Sequence, residues 1–113
     1  MNFTAENISG IIVVTVNLTR ATLSESDEFK QLLLGHIDQK HFQFVVDLSQ
    51  CEFIDSTFLG SLVVTLKKVT VLGGDLKLVG FQPAVQSMFE LTRMYRIFEA
   101  FGDKQLAVNS FTK

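Results

Sequence analysis

The hydrophobic pattern switches between two periods along the chain, and that switching is the main architectural signal. Residues 11–18, Ile-Ile-Val-Val-Thr-Val-Asn-Leu, form a β-branched run bounded by Gly10 and by Thr19-Arg20, which predicts a strand. Residues 2–8 are placed to pair with it as an edge strand through a Ser9-Gly10 turn. The run from Phe42 to Leu48 is almost continuously apolar, as suits a central strand covered on both faces. Leu76 to Phe81 predicts a third buried strand, and Ile97 to Phe101 a short last one. Between these runs the period becomes that of a helix. Ser24 with Asp27 three residues on reads as a weakened capping box, and Phe29, Leu32, Leu33 and Ile37 continue as an apolar stripe. Asp55-Ser56 opens a long helical stretch through Leu72, in which Leu59, Leu62, Val63, Leu66 and Val69 share a face. Gly73-Gly74 stops it. Pro83 suits the first turn of a third helix, with Val85, Met88, Phe89 and Leu91 as its apolar side. After Gly102-Asp103 a fourth helix carries Leu106, Ala107 and Phe111.

The predicted order is β-β-α-β-α-β-α-β-α. Strands separated by helices imply right-handed crossovers and a mostly parallel sheet. The expected fold class is therefore α/β: a central, mostly parallel sheet with an antiparallel edge strand, and about four helices mainly on one side. Residues 1–113 are expected to form one domain, since 113 residues leave no room for a second of ordinary size.

Composition removes several function classes. With 10 Lys+Arg against 12 Asp+Glu and a net charge of −2, the chain lacks the basic balance of a nucleic-acid binder. Cys51 is the single cysteine, so neither a disulfide framework nor a cysteine-based metal site is expected. No apolar run approaches the roughly 20 residues that cross a bilayer, and the first residues lack the layout of an export signal. A cytoplasmic setting without membrane contact is the expectation. His36 and His41 stand five apart without further ligands, so no metal is expected. No Ser-His-Asp set and no Gly-x-Ser-x-Gly elbow is present, so no catalytic residue and no cofactor are expected.

The segment that attracts chemistry is Asp55-Ser56-Thr57-Phe58-Leu59-Gly60, where a loop after a buried strand becomes the start of the longest helix. The first turn of a helix presents unpaired N–H groups and about half a positive charge. A hydroxyl there is accessible, and a phosphate on it, carrying about −1.5 to −2 charges, is accommodated by the helix end. Asp, Ser and Thr are equally the residues of a plain helix cap, and taken alone the tripeptide fits both readings.

The wider context resembles a known family. Phe44-Val45-Val46-Asp47-Leu48-Ser49, then Ile54-Asp55-Ser56-Thr57-Phe58-Leu59-Gly60, then Gly73-Gly74-Asp75-Leu76-Lys77-Leu78, and finally Leu91-Thr92 with Ile97-Phe98 resemble the STAS domain in order and spacing. This is the family of bacterial anti-sigma factor antagonists, shared with the cytosolic part of sulfate transporters. The resemblance implies that Ser56 is phosphorylated by an anti-sigma factor serine kinase, with Asp55 as the acidic neighbour and Thr57 as the second hydroxyl. Such a domain catalyses nothing itself. Unphosphorylated, it binds the kinase and frees the sigma factor, and a PP2C-type phosphatase resets it. The outward face of the long helix, through Ser61 and Thr65, is implied to meet the kinase.

Two positions depart from the family pattern. Its usual Gly-x-(Leu/Ile)-Asp element is replaced by Asn17-Leu18-Thr19-Arg20-Ala21-Thr22, so the acidic residue that borders the phospho-site is missing and Arg20 stands nearby instead. If Arg20 reaches Ser56, it can pair with a phosphate there. Phe58 stands where many members carry glycine. It is either an exposed aromatic anchor for a partner or packing against the Arg20-Ala21-Thr22 loop. The expected site is thus Ser56 surrounded by Arg20, Thr22, Asp55, Thr57, Phe58, Ser61 and Thr65. The expected function is an anti-sigma factor antagonist switched by phosphorylation. The alternative is a constitutive interaction or scaffold protein of the same fold, with Ser56 only a cap. The oligomeric state is left open.

Overall fold

The structure is a computed structural model that describes residues 1–111. The chain begins with β1 (Phe3–Ile8), β2 (Ile11–Val16), a two-residue β3 (Arg20–Ala21) and α1 (Leu23–Asp38). It continues through β4 (Gln43–Asp47), a two-residue β5 (Phe53–Ile54), α2 (Ser56–Val71) and β6 (Asp75–Val79). It closes with α3 (Pro83–Leu91), a 3-10 turn at Met94–Arg96, β7 (Ala100–Phe101) and α4 (Lys104–Ser110).

Ser9 and Gly10 both take positive φ, 55° and 87°, the geometry of a tight hairpin whose twist matches its strands. β1 therefore folds back antiparallel on β2, with Phe3 opposite Val16 and Ile8 opposite Ile11. Every later pairing in the main sheet is parallel, in the order β1-β2-β4-β6-β7. Alternation along the strands sorts side chains between two faces. Ile12, Val14, Phe44, Val46, Leu76 and Leu78 join the core built with α1, α2 and α3. Ile11, Val13, Val45 and Val79 face the other way and pack with Ala107 and Val108 of α4. Three helices thus cover one face and α4 covers the opposite one. Lys77 also lies on the α4 side, buried, with Nζ 2.6 Å from Ser110 Oγ and 3.2 Å from Glu99 Oε1.

Some local expectations change. The first helix is capped at Thr22, not Ser24: Thr22 Oγ1 accepts from Ser24 N at 3.3 Å, and Thr22 N donates to Glu25 Oε1 at 2.9 Å. This is a full capping box two residues upstream of the expected one. The Ser49–Ile54 connection holds the short strand β5. The last strand is two residues long: Ile97 N and Phe98 N donate back to Met94 O at the end of the 3-10 turn, and only Ala100 and Phe101 pair with β6. Leu91 and Leu106 are exposed, and Val108 takes the packed place on α4 beside Ala107. Gly73 ends α2 with φ of 88°, and a Cβ on Gly74 would run into the Phe42 carbonyl oxygen.

Candidate functional site

β3 and β5 pair in parallel, Arg20 opposite Phe53 and Ala21 opposite Ile54. The pairing extends on either side, with Glu52 N donating to Thr19 O at 2.8 Å and Asp55 N to Ala21 O at 3.1 Å. Each short strand runs straight into a helix cap, Thr22 for α1 and Asp55 for α2. Two helix N-termini therefore open side by side.

Asp55 joins them. Its Oδ1 accepts from Phe58 N at 2.8 Å within α2, and its Oδ2 accepts from Leu23 N at 2.9 Å at the start of α1. One carboxylate thus satisfies an otherwise unpaired donor in each helix and places negative charge where both dipoles favour it. Asp55 is the brace of the site, and both of its oxygens are engaged.

Ser56 is the first residue of α2, and both it and Thr57 are exposed. The Ser56 hydroxyl makes no hydrogen bond with any other described residue. Arg20 is exposed as well, with its guanidinium carbon 4.2 Å from the centroid of the Phe53 ring. Leu23 is 67% and Phe53 37% exposed. These two apolar side chains on the lip of the site were absent from the sequence-based set. The signal was present in part: Leu23 falls off the Phe29-Leu33-Ile37 stripe of α1.

Three expected contacts are corrected. Phe58 is fully buried. Its ring centroid lies 4.8 Å from that of Phe29 in α1 and 6.3 Å from that of Phe3 in β1, so it packs under α1 and not on the loop. Ser61 and Thr65 are buried too, with hydroxyls donating to Thr57 O at 3.3 Å and Ser61 O at 2.9 Å. α1 lies against that flank of α2, and small residues whose hydroxyls bond back to their own helix suit the close approach. The solvent side of α2 runs instead through Thr57, Val64, Lys67, Lys68 and Val71.

The remaining candidates stay outside the site. His36 and His41 have ring centroids 6.1 Å apart, and burial, then the neighbouring His41, pulls the His36 pKa down. Among the described residues no cluster of His, Cys, Asp and Glu can hold a metal ion. Cys51 is buried, and burial, with Asp47 adding, pushes its thiol pKa up to about 11. No helix among the described residues is long and apolar enough to cross a membrane.

Fold and site define a small α/β domain with an exposed hydroxyl beside two braced helix N-termini. A family model described as "Mlab, STAS domain" matches residues 7–99, and the chain belongs to the STAS domain family. It is 22% identical over 111 residues to BtrV of Bordetella bronchiseptica, named as a candidate anti-sigma factor antagonist, covering 98% of this chain and 95% of that one. A crystal structure from Thermotoga maritima, also titled as a candidate anti-sigma factor antagonist, superposes with a TM-score of 0.92 at 22% identity, covering 98% and 95% of the two chains. SpoIIAA is similar both in its unphosphorylated form, with a TM-score of 0.85, 13% identity and coverage of 97% and 96%, and in the phosphorylated form from Bacillus, with 0.76, 13% and coverage of 96% and 98%.

Proposed function

We propose that this protein is an anti-sigma factor antagonist that works by partner switching under the control of Ser56 phosphorylation. The observation that carries the reading is the Ser56 hydroxyl, exposed at the first position of α2 and without a hydrogen bond to any other described residue. The names of the relatives support the general role, and the SpoIIAA structure titled as phosphorylated supports modification as the switch.

In this reading the unmodified lip formed by Arg20, Leu23, Phe53, Ser56 and Thr57 docks on an anti-sigma factor kinase. The kinase brings ATP and magnesium, and transfers the γ-phosphoryl group to Ser56 Oγ. The product carries about −1.5 to −2 charges at the centre of the contact. Taking that charge out of water in an interface costs several kcal/mol, and each ~1.4 kcal/mol is tenfold in affinity, so binding falls by about a hundredfold or more. A PP2C-type phosphatase then restores the binding form. The work takes place in the cytoplasm and needs no cofactor on this chain.

Incubation with ATP and an anti-sigma kinase from the same genome tests the reading by mass spectrometry. The expected result is one added phosphate, lost in Ser56→Ala, with Ser56→Asp failing to retain the kinase in a pull-down that Ser56→Ala passes. Equal retention of both variants, or no phosphate on the wild type, leaves the constitutive scaffold as the better account.

A further inference from the structure

Arg20 is an exposed cation whose contact is a phenyl ring and not a carboxylate. Among the described residues it makes no ion pair, and its guanidinium carbon sits over the Phe53 ring, 4.2 Å from the centroid. It is also the one Arg or Lys on the two segments, residues 17–23 and 48–57, that lead into the paired helix starts. The carboxylates on the neighbouring segments are otherwise engaged or exposed. Glu25 is held by Thr22 N, Asp55 by Leu23 N and Phe58 N, and Glu52 is exposed on the loop.

A contact with a ring face consumes none of the guanidinium N–H donors, and their fork geometry matches two oxygens of a phosphate. The register brings it within reach. Arg20 and Phe53 are paired, hence about 4.8 Å apart across the strands, and Ser56 lies three residues beyond Phe53, at most about 10 Å along the chain. An extended arginine reaches about 7 Å from its Cα and a phosphoserine about 4 Å by standard bond lengths, and a charge-assisted bond adds about 2.8 Å. Distances across and along the strands combine at right angles to about 11 Å, which these reaches span once the arginine swings from Phe53 towards Ser56.

We propose that Arg20, held poised by Phe53, is the residue that receives the phosphate once Ser56 is modified. The inference rests on the phosphorylation reading above and deepens it. Modification then changes the docking lip twice: it adds negative charge, and it engages the single cation that the lip presents. Arg20 is a positioning and recognition residue for the phosphate, and has no part in the transfer itself.

The test uses full-length protein with phosphoserine encoded genetically at position 56, titrated by 31P NMR from pH 4.5 to 8 at low salt. A nearby guanidinium favours the doubly charged phosphate, so it lowers the second phosphate pKa from its ordinary value of about 6. Removing it in Arg20→Gln is expected to raise that pKa by about half a unit or more, with Arg20→Lys falling between, and with the gap narrowing at high salt. A pKa that is the same in wild type, Arg20→Gln and Arg20→Lys overturns the proposal. Since the phosphate is installed without a kinase, this result stands apart from the labelling experiment. Failure of labelling removes the kinase reading alone, and a flat titration removes the role of Arg20 alone.

Discussion

Asp55 is the residue whose removal tests the architecture of the site most directly. Asp55→Ala deletes an N-cap acceptor from α2, a change that costs about 1 kcal/mol in typical helices. It also deletes the acceptor for Leu23 N at the start of α1 and a carboxylate that two helix dipoles favour, each interaction worth roughly 0.3–1 kcal/mol. The expected loss is about 2 kcal/mol. Asp55→Asn keeps one acceptor oxygen and loses the charge, so about 1 kcal/mol is expected by the same terms. Urea unfolding followed by circular dichroism measures both, with m unchanged if only stability moves. The two-helix brace has a sharper signature. Leu23 is the first residue of α1, where proline is tolerated because its missing N–H has no partner within the helix. Thr22 before it is already extended, with φ −135° and ψ −174°, as a residue before proline prefers. Leu23→Pro therefore deletes the donor to Asp55 Oδ2 and little else. In that background Asp55→Ala should cost less, with a coupling of about 0.5–1 kcal/mol. Strict additivity, or an Asp55→Ala protein within about 0.5 kcal/mol of wild type, would refute the brace.

Two further outcomes follow from burial. Phe58→Ala empties a fully buried site among Phe3 and Phe29 and should destabilise the fold by about 3–5 kcal/mol; a loss below about 1 kcal/mol in urea unfolding would mean that the ring is not core. Cys51, with its thiol pushed up to about 11, is almost wholly un-ionised at pH 8, so iodoacetamide should modify the native protein far more slowly than the urea-unfolded chain. Its proton is held more tightly folded than unfolded, so its contribution to stability is complete below the unfolded value of 9.0 and declines as pH rises towards 11. Equal alkylation rates in the native and unfolded chains would refute this.

Four strands of the main sheet were legible because they are long enough to carry a period. The run from Phe42 to Leu48 is almost continuously apolar, Leu76 to Phe81 is largely so, and the hairpin announces itself in Ser9-Gly10. What periodicity could not show is which neighbour a buried face meets. In α2 the positions facing the sheet, Leu59, Leu62 and Leu66, were readable as one stripe. Phe58, Ser61 and Thr65 lie on the adjoining flank, and only the placement of α1 there turns them inward. A polar serine or threonine on such a flank reads as solvent-facing until its hydroxyl is seen donating to a carbonyl one turn back. The fourth helix poses the same problem at larger scale, since amphipathicity says that a face is covered and not which side of the sheet it covers.

The site was legible as a motif and illegible as a shape, for one physical reason. β3 and β5 are two residues each, too short for alternation to leave any trace in the sequence. Yet that small pairing sets Arg20 against Phe53 and delivers Thr22 and Asp55 to adjacent helix starts. The exposed apolar side chains therefore come from the segments leading into the helices, Leu23 and Phe53, while the aromatic inside the motif, Phe58, ties α2 to α1 and β1 beneath. The hydroxyl of Ser56 makes no hydrogen bond with any other described residue, while Asp55 before it is held by two backbone donors and Phe58 two positions on is held by the core. A rigid frame under a free hydroxyl is what a binding surface needs if one phosphate is to change it without unfolding the helix that carries it.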